Sequence, residues 1–256
     1  MPVFLENKPV ALVIGASRGI GADVAEVLAQ AGAHVILVGR SASPLQSIVC
    51  SLTQQGCACE YYVCDVTHYE QVEKFIDTLD RVDILINNAG TALIKQFTAY
   101  TEDEFDQLFD LNVKAYFFTS QFVAKKMIQN KSQTGGVIIN ISSIMGKVAQ
   151  PIKTPRPQVL YTVSKHAIEG LTKALSVELA PYNIRVNSVC PTYVATSLTK
   201  ELLENENTRD FMTSRIPLGK FAEKRDVSQA VLFLCSSMAS MITGDSVMID
   251  GGWTAV

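Results

Sequence analysis

Seven short runs rich in aliphatic and β-branched residues recur along the chain, at 10–14, 34–38, 60–64, 82–86, 136–141, 184–189 and 246–249. A segment with helical periodicity separates each run from the next. Strands that alternate with helices must pair through crossover connections, which makes the sheet parallel and covers both its faces. The expected fold is α/β, a doubly wound parallel sheet of seven strands in one domain over 1–256. Three of the helices read as opening on capping boxes, at Ser43–Gln46, Thr67–Glu70 and Thr101–Glu104. The exception to the alternation is 147–157, where Pro151, Pro155 and Pro157 make continuous helix or strand implausible.

Composition excludes several functions. With 256 residues, 48% of them hydrophobic, the chain can bury a large core without disulfides. Its apolar runs fall far short of the roughly 20 residues a spanning helix needs, so no membrane partner is expected. The first residues lack the features of an export signal, which places the protein in the cytoplasm. Six cysteines show neither C-x-x-C pairs nor histidines at metal spacing, and read as reduced packing residues with no metal bound. A net charge of −3 with intermixed signs argues against a nucleic-acid partner.

The first strand runs into Gly15-Ala-Ser-Arg-Gly-Ile-Gly21 and then into an amphipathic helix. Glycines there allow a tight turn and let amides at the helix N-terminus approach a pyrophosphate, whose charge the helix dipole favours. A plain tight turn would look the same in isolation. The spacing G-x-x-x-G-x-G resembles that of the short-chain dehydrogenase/reductase family, whose fold is Rossmann-type. Gly15, Ser17, Arg18, Gly19, Ile20 and Gly21 are then the first cofactor-binding candidates.

Further motifs follow in the family's order. Where its NAD-binding members carry an acidic residue after the second strand, this chain has Gly39 followed by Arg40, and Arg18 lies in the glycine turn. Two guanidinium groups without a carboxylate favour a 2′-phosphate, so NADP(H) is the preferred cofactor and NAD(H) the lesser one. The bland alternative is that both arginines are solvated or ion-paired. Asp65-Val66 resembles the family's adenine-contacting pair. Asn88, Ala89 and Gly90 belong to an N-N-A-G turn. Pro191, Val194 and Thr196 resemble its nicotinamide-contacting segment, with Pro191 expected to break the sixth strand. Thr192 stands where the family usually has glycine.

Tyr161-Thr-Val-Ser-Lys165 puts a phenol and an ammonium on one helix face, after a strand ending Ile141-Ser-Ser143. This is the family's arrangement, and it implies Ser143, Tyr161, Lys165 and Asn112 as catalytic residues. Carbonyl reduction needs a proton at oxygen while hydride reaches carbon, and a phenol of pKa about 10 needs help to act near neutrality. A lysine charge about 4 Å away at an effective dielectric near 20 supplies roughly three pKa units. A serine hydroxyl would polarise the carbonyl. The resemblance implies that Asn112 holds a water linking the lysine to solvent; alternatively it back-bonds within its helix.

The implied activity is hydride transfer between nicotinamide and the carbonyl or hydroxyl carbon of a small substrate, in the group that holds 3-oxoacyl-[acyl-carrier-protein] reductases and polyol and sugar-acid dehydrogenases. Pro181-Tyr-Asn183 lacks the basic residue common in the acyl-carrier group, which weakens a 3-oxoacyl thioester substrate. A non-catalytic NADP(H) sensor is the competing function. Segment 196–207, with Leu198, Leu202 and Leu203 at helical spacing, reads as a substrate lid or as a rigid amphipathic helix. The 18-position step from Ser143 to Tyr161 is about five residues longer than the family's usual step, and 147–157 is read as a specificity loop or a solvent-side insertion. Surplus apolar positions in the helices at 101–129 and 159–180, among them Phe105, Leu108, Phe117, Phe118, Phe122, Leu175 and Leu179, point to a homodimer or homotetramer.

Overall fold

The computed structural model describes residues 5–129, 135–151, 157–196, 199 and 204–256. Among them, strands β1 (Val10–Ile14), β2 (His34–Gly39), β3 (Cys59–Val63), β4 (Ile84–Asn87), β5 (Gly136–Ile141), β6 (Ile184–Pro191) and β7 (Ser246–Ile249) form one sheet in the order β3-β2-β1-β4-β5-β6-β7. Every pairing is parallel. The winding direction reverses between β1 and β4, which opens a crevice at the carboxyl ends of the strands.

The helices are α1 (Gly19–Gln30), α2 (Ala42–Gln54), α3 (Tyr69–Thr78), α4 (Glu102–Phe109), α5 (Ala115–Gln129), α6 (Val159–Glu178), α7 (Glu206–Thr213) and α8 (Lys224–Cys235). Alternate strand residues serve opposite faces. Ala11, Val13, Val35, Leu37, Ile84, Ile86 and Ile139 pack with Val24 and Leu28 of α1 and Val227 and Val231 of α8. Leu12, Ile36, Leu85 and Ile138 pack with Val72 and Ile76 of α3 and Val123 and Met127 of α5. This two-sided burial explains why the inner strands are uninterrupted aliphatic runs. Among the described residues, no helix is long and apolar enough to cross a membrane.

Several boundaries differ from the sequence-based expectation. The fourth strand begins at Ile84, and Asp83 before it ties that end of the sheet with its main chain, at 2.9 Å to Val10 and to Val137, and with its carboxylate, which accepts the Val10 amide at 2.7 Å. Pro191 does not break β6. It is the strand's last residue, in register with Ile249, and Thr192 N–H continues the ladder to the Ile249 carbonyl at 3.0 Å. Thr192 is not among the described residues with left-handed backbone, so the missing glycine costs nothing there.

Of the three expected capping boxes, only that of Thr101 and Glu104 forms. Ser43 lies inside α2, whose cap is Ser41. Thr67 gives its hydroxyl to Asp65 at 2.8 Å, and His68 takes the N-cap position of α3 without a side-chain cap. The expected helix over 101–129 is interrupted by a π turn at Asp110–Lys114 that contains Asn112. Such turns re-aim one residue within a helix and are frequent at functional sites.

Candidate active site

The crevice continues into a cleft of about 550 Å³, floored by the segments that follow β1 to β6. At its nucleotide end, Gly15 has φ +78°, and a Cβ on it would lie 2.7 Å from the Ala89 amide nitrogen. A Cβ on Gly21 would collide with the Gly15 carbonyl oxygen and lie 2.5 Å from Asn88 Nδ2. Asn88 holds this turn in turn, donating from Nδ2 to the Gly15 carbonyl at 2.9 Å. Arg18, at the N-cap of α1, makes no side-chain cap, which leaves the first amides of the helix without an internal acceptor at the cleft. These features suit a bound pyrophosphate.

Gly15, Ser17, Arg18, Gly19, Ile20, Arg40, Asp65, Val66, Asn88, Ala89, Gly90, Pro191, Val194 and Thr196 all line the cleft. Gly21 does not. It packs behind the turn, and its place in the motif comes from steric need. Arg18 and Arg40 are exposed, and Gly39 places no carboxylate at the end of β2. Asp65 also fixes the turn after β3, its Oδ1 accepting from the Thr67 amide at 3.0 Å. Burial works to raise this carboxyl, but Thr67 and the charge of Arg40 hold it below its ordinary range. Thr196 reaches over Gly19, its methyl 3.9 Å from where a Cβ would stand. Val194 is bridged to Ala222, so the segment closing this end is anchored.

At the chemical end, Ser143, Tyr161 and Lys165 face the same cleft. β5 delivers Ser143, whose Oγ accepts the Met145 amide at 3.1 Å. α6 carries the other two. Burial pushes the Tyr161 phenol up to about 12, against a hydrogen bond from Ser143 that works the other way. Lys165 bonds to the main chain. Its Nζ donates to the Ile141 carbonyl at 2.8 Å and lies 5.6 Å from the centre of the Tyr161 ring. Burial lowers its ammonium to about 8. The expected phenol near 7 is not met in this state, because burial holds it above its ordinary value of 10.

Asn112 lies one layer behind the cleft, fully buried. Its Oδ1 accepts the Thr91 amide at 2.9 Å, and its Nδ2 donates to the Thr91 carbonyl at 2.9 Å and to Ser164 Oγ at 3.1 Å. Its side chain bonds to Thr91 and Ser164 rather than back within its own helix. The amide pins the loop after β4 to α6, and the π turn is what lets it reach.

Three groups at the site went unnoticed in the sequence. Tyr116 of α5 donates to the Ile141 carbonyl at 3.1 Å and lies under Lys165, its ring centre 5.4 Å from Nζ. Tyr193 lines the cleft with Met145, and Trp253 packs behind it at 5.8 Å between ring centres. Glu169 stands one helical turn past Lys165 and is buried. The Tyr-x-x-x-Lys spacing extended by four would have singled out Glu169; nothing local marks the pair of Tyr193 and Trp253. Residues 152–156 of the proline-rich stretch and Leu198, Leu202 and Leu203 lie outside the described residues. The far end of the stretch is anchored, since the Lys95 amide donates to the Pro157 carbonyl at 3.1 Å.

A switch-point crevice floored by a glycine turn at an uncapped helix defines the class as a doubly wound nucleotide-binding fold. The profile of a family described as enoyl-(acyl carrier protein) reductase matches residues 15–254. Human L-xylulose reductase is 37% identical over 256 residues, covering 100% of both chains. Gluconate 5-dehydrogenase of Gluconobacter oxydans is 35% identical over 248 residues, 95% of this chain and 94% of its own. A crystal structure of a gluconate 5-dehydrogenase from Burkholderia cenocepacia in complex with NADP and tartrate superposes with a TM-score of 0.92 at 30% identity, covering 100% of this chain and 98% of its own. The chain belongs to the short-chain dehydrogenase/reductase family.

Proposed function

We propose that the protein is an NADP(H)-dependent oxidoreductase that reduces the ketone of a small polyhydroxylated substrate, or oxidises the matching secondary alcohol, with Tyr161 as acid/base. The observation that carries this reading is the convergence of Ser143, Tyr161 and Lys165 on the cleft whose other end is the glycine turn. The names of the relatives, L-xylulose reductase and gluconate 5-dehydrogenase, support the substrate class, and a structural neighbour in complex with NADP supports the cofactor.

The residues present fit the dinucleotide: Gly15 and Gly21 leave no room for a Cβ, the start of α1 offers free amides, and Arg18 and Arg40 can take a 2′-phosphate. When bound, the nicotinamide supplies or accepts the hydride. Ser143 donates a hydrogen bond to the substrate oxygen and aligns it with the phenol. Tyr161, protonated at neutral pH in this cleft, gives its proton to that oxygen during reduction. For oxidation the phenol must first be made more acidic, and the Lys165 ammonium on the same helix face is the charge that would do so.

Asn112 holds α6 against the loop after β4 and so keeps Tyr161 in register with the cleft. We place the protein in the cytoplasm as a homodimer or homotetramer. The supporting surface is narrower than the sequence suggested, because Leu108, Phe122 and Leu179 are buried in the chain's own core and Phe118 and Leu175 pack against it. Phe105 and Phe117 remain exposed, at 44% and 47%.

The test is the loss of NADPH absorbance with a panel of ketoses, keto-acids, diketones and acetoacetyl thioester. Turnover of a ketose or sugar keto-acid is expected. Turnover of the thioester alone would move the assignment to acyl reduction, and turnover of none would favour the sensor.

A further inference from the structure

Behind the cleft, the buried carboxylate of Glu169 gathers donors from three other parts of the chain. Lys147 Nζ, just after the turn that carries Ser143, lies 2.8 Å from Oε2. Ser246 of β7 donates to the same oxygen at 2.5 Å, and the Cys190 thiol of β6 donates to Oε1 at 3.5 Å. Burial alone would raise this carboxyl, yet the bonds from Lys147 and Ser246 hold it below the ordinary carboxylate range, so it is ionised. The turn after β5 comes close enough to allow this only because residue 146 is glycine: a Cβ there would lie 2.9 Å from Glu169 Cγ and 2.9 Å from the Lys165 carbonyl oxygen.

An ionised carboxylate in a protein interior costs free energy that an apolar side chain of similar size would not. Its position one helical turn from Lys165 gives that cost a use. Lys165 faces Tyr161 and Glu169 on its own helix, Tyr116 on α5, the Ile141 carbonyl on β5 and Cys190 on β6. Burial keeps both phenols protonated and pushes the thiol up to about 12. Of these groups, Glu169 alone carries a negative charge, and Lys147 is its balancing cation.

We propose that Glu169 is a positioning residue for Lys165: with Lys147 it holds a negative charge one turn from the ammonium, which keeps Lys165 charged in a desolvated wall, and it ties the Ser143 turn to α6. The proposal rests on the reading of Lys165 as a site residue, but its test does not depend on turnover. The two partners of the ion pair must act on Lys165 with opposite signs. Removing the carboxylate leaves the ammonium less supported. Removing Lys147 leaves the carboxylate unbalanced and the ammonium better supported.

The experiment is an NMR titration of the free protein carrying lysine labelled with 13C at Cε, with the Lys165 resonance assigned from its absence in K165R. In E169Q the Lys165 midpoint should fall by about one pH unit, and E169D, which restores the charge, should recover most of that. In K147M the midpoint should rise. Midpoints that match wild type in both E169Q and K147M, or that move in the same direction, would overturn the proposal, since a merely structural brace gives no opposed shifts. If E169Q does not fold, K147M decides alone: a raised midpoint supports the proposal and an unchanged or lowered one contradicts it. Opposed shifts together with full turnover by Tyr161→Phe would leave this inference standing and remove the proposed mechanism.

Discussion

The ammonium nitrogen of Lys165 lies 2.8 Å from the main-chain carbonyl oxygen of Ile141, so the helix that carries the candidate acid is bonded to the last residue of β5 through a buried charge. The Tyr116 hydroxyl shares that carbonyl at 3.1 Å. Two donors on one acceptor hold the lysine in place without removing the cost of burying it.

That cost gives a stability prediction. Burial takes the Lys165 ammonium from 10.5 in the unfolded chain to about 8 in the folded one. Below 8 both states hold the proton and the penalty is fully present. Between 8 and 10.5 only the unfolded state holds it, so raising the pH relieves the penalty. Lys165→Met should therefore stabilise the fold by about 1–2 kcal/mol near pH 7, the pKa penalty less one lost hydrogen bond. The gain should disappear as pH passes 10, and activity should be lost. Denaturant unfolding of both proteins across that range is the check, and a gain that does not shrink with pH would contradict it.

The turn after β1 predicts a steric effect. Gly21→Ala has no room, because its Cβ would meet the Gly15 carbonyl and Asn88 Nδ2, which hold each other. Overpacking of this kind costs about 1–3 kcal/mol. The variant should melt at lower temperature and bind NADPH more weakly, as followed by nucleotide fluorescence. Wild-type values for both would show that the turn can open freely.

Cofactor choice should follow the charge at position 40. Arg40 is exposed at the cleft and its charge acts on Asp65. Arg40→Asp should reverse the ratio of kcat/KM for NADPH over NADH, because a carboxylate repels the 2′-phosphate and accepts from the ribose hydroxyls. Equal kcat/KM values for the two cofactors in the unaltered protein would remove the arginines from the account.

Much of this was legible because it is local. Aliphatic runs marked every strand to within a few residues, and the glycine turn and the Tyr161–Lys165 pair were read from their resemblance to a family whose motifs follow in the same order. What could not be read depends on contacts between distant segments. The π turn at Asn112 is set by bonds to Thr91 and Ser164, far along the chain. Thr67 looked like a helix cap but gives its hydroxyl to Asp65, the nearer acceptor. The direction of Lys165 follows from the Ile141 carbonyl, a backbone group that carries no sequence signal.

The central claim is that Tyr161 is the proton donor, and Tyr161→Phe tests it most directly by removing one oxygen while the ring keeps its place. The account predicts that kcat falls by at least about 100-fold with NADPH affinity little changed, as expected for the loss of a general acid. A variant that retains kcat within a factor of a few on a substrate the unaltered protein reduces would contradict it, and the proton would have to come from another group in the cleft.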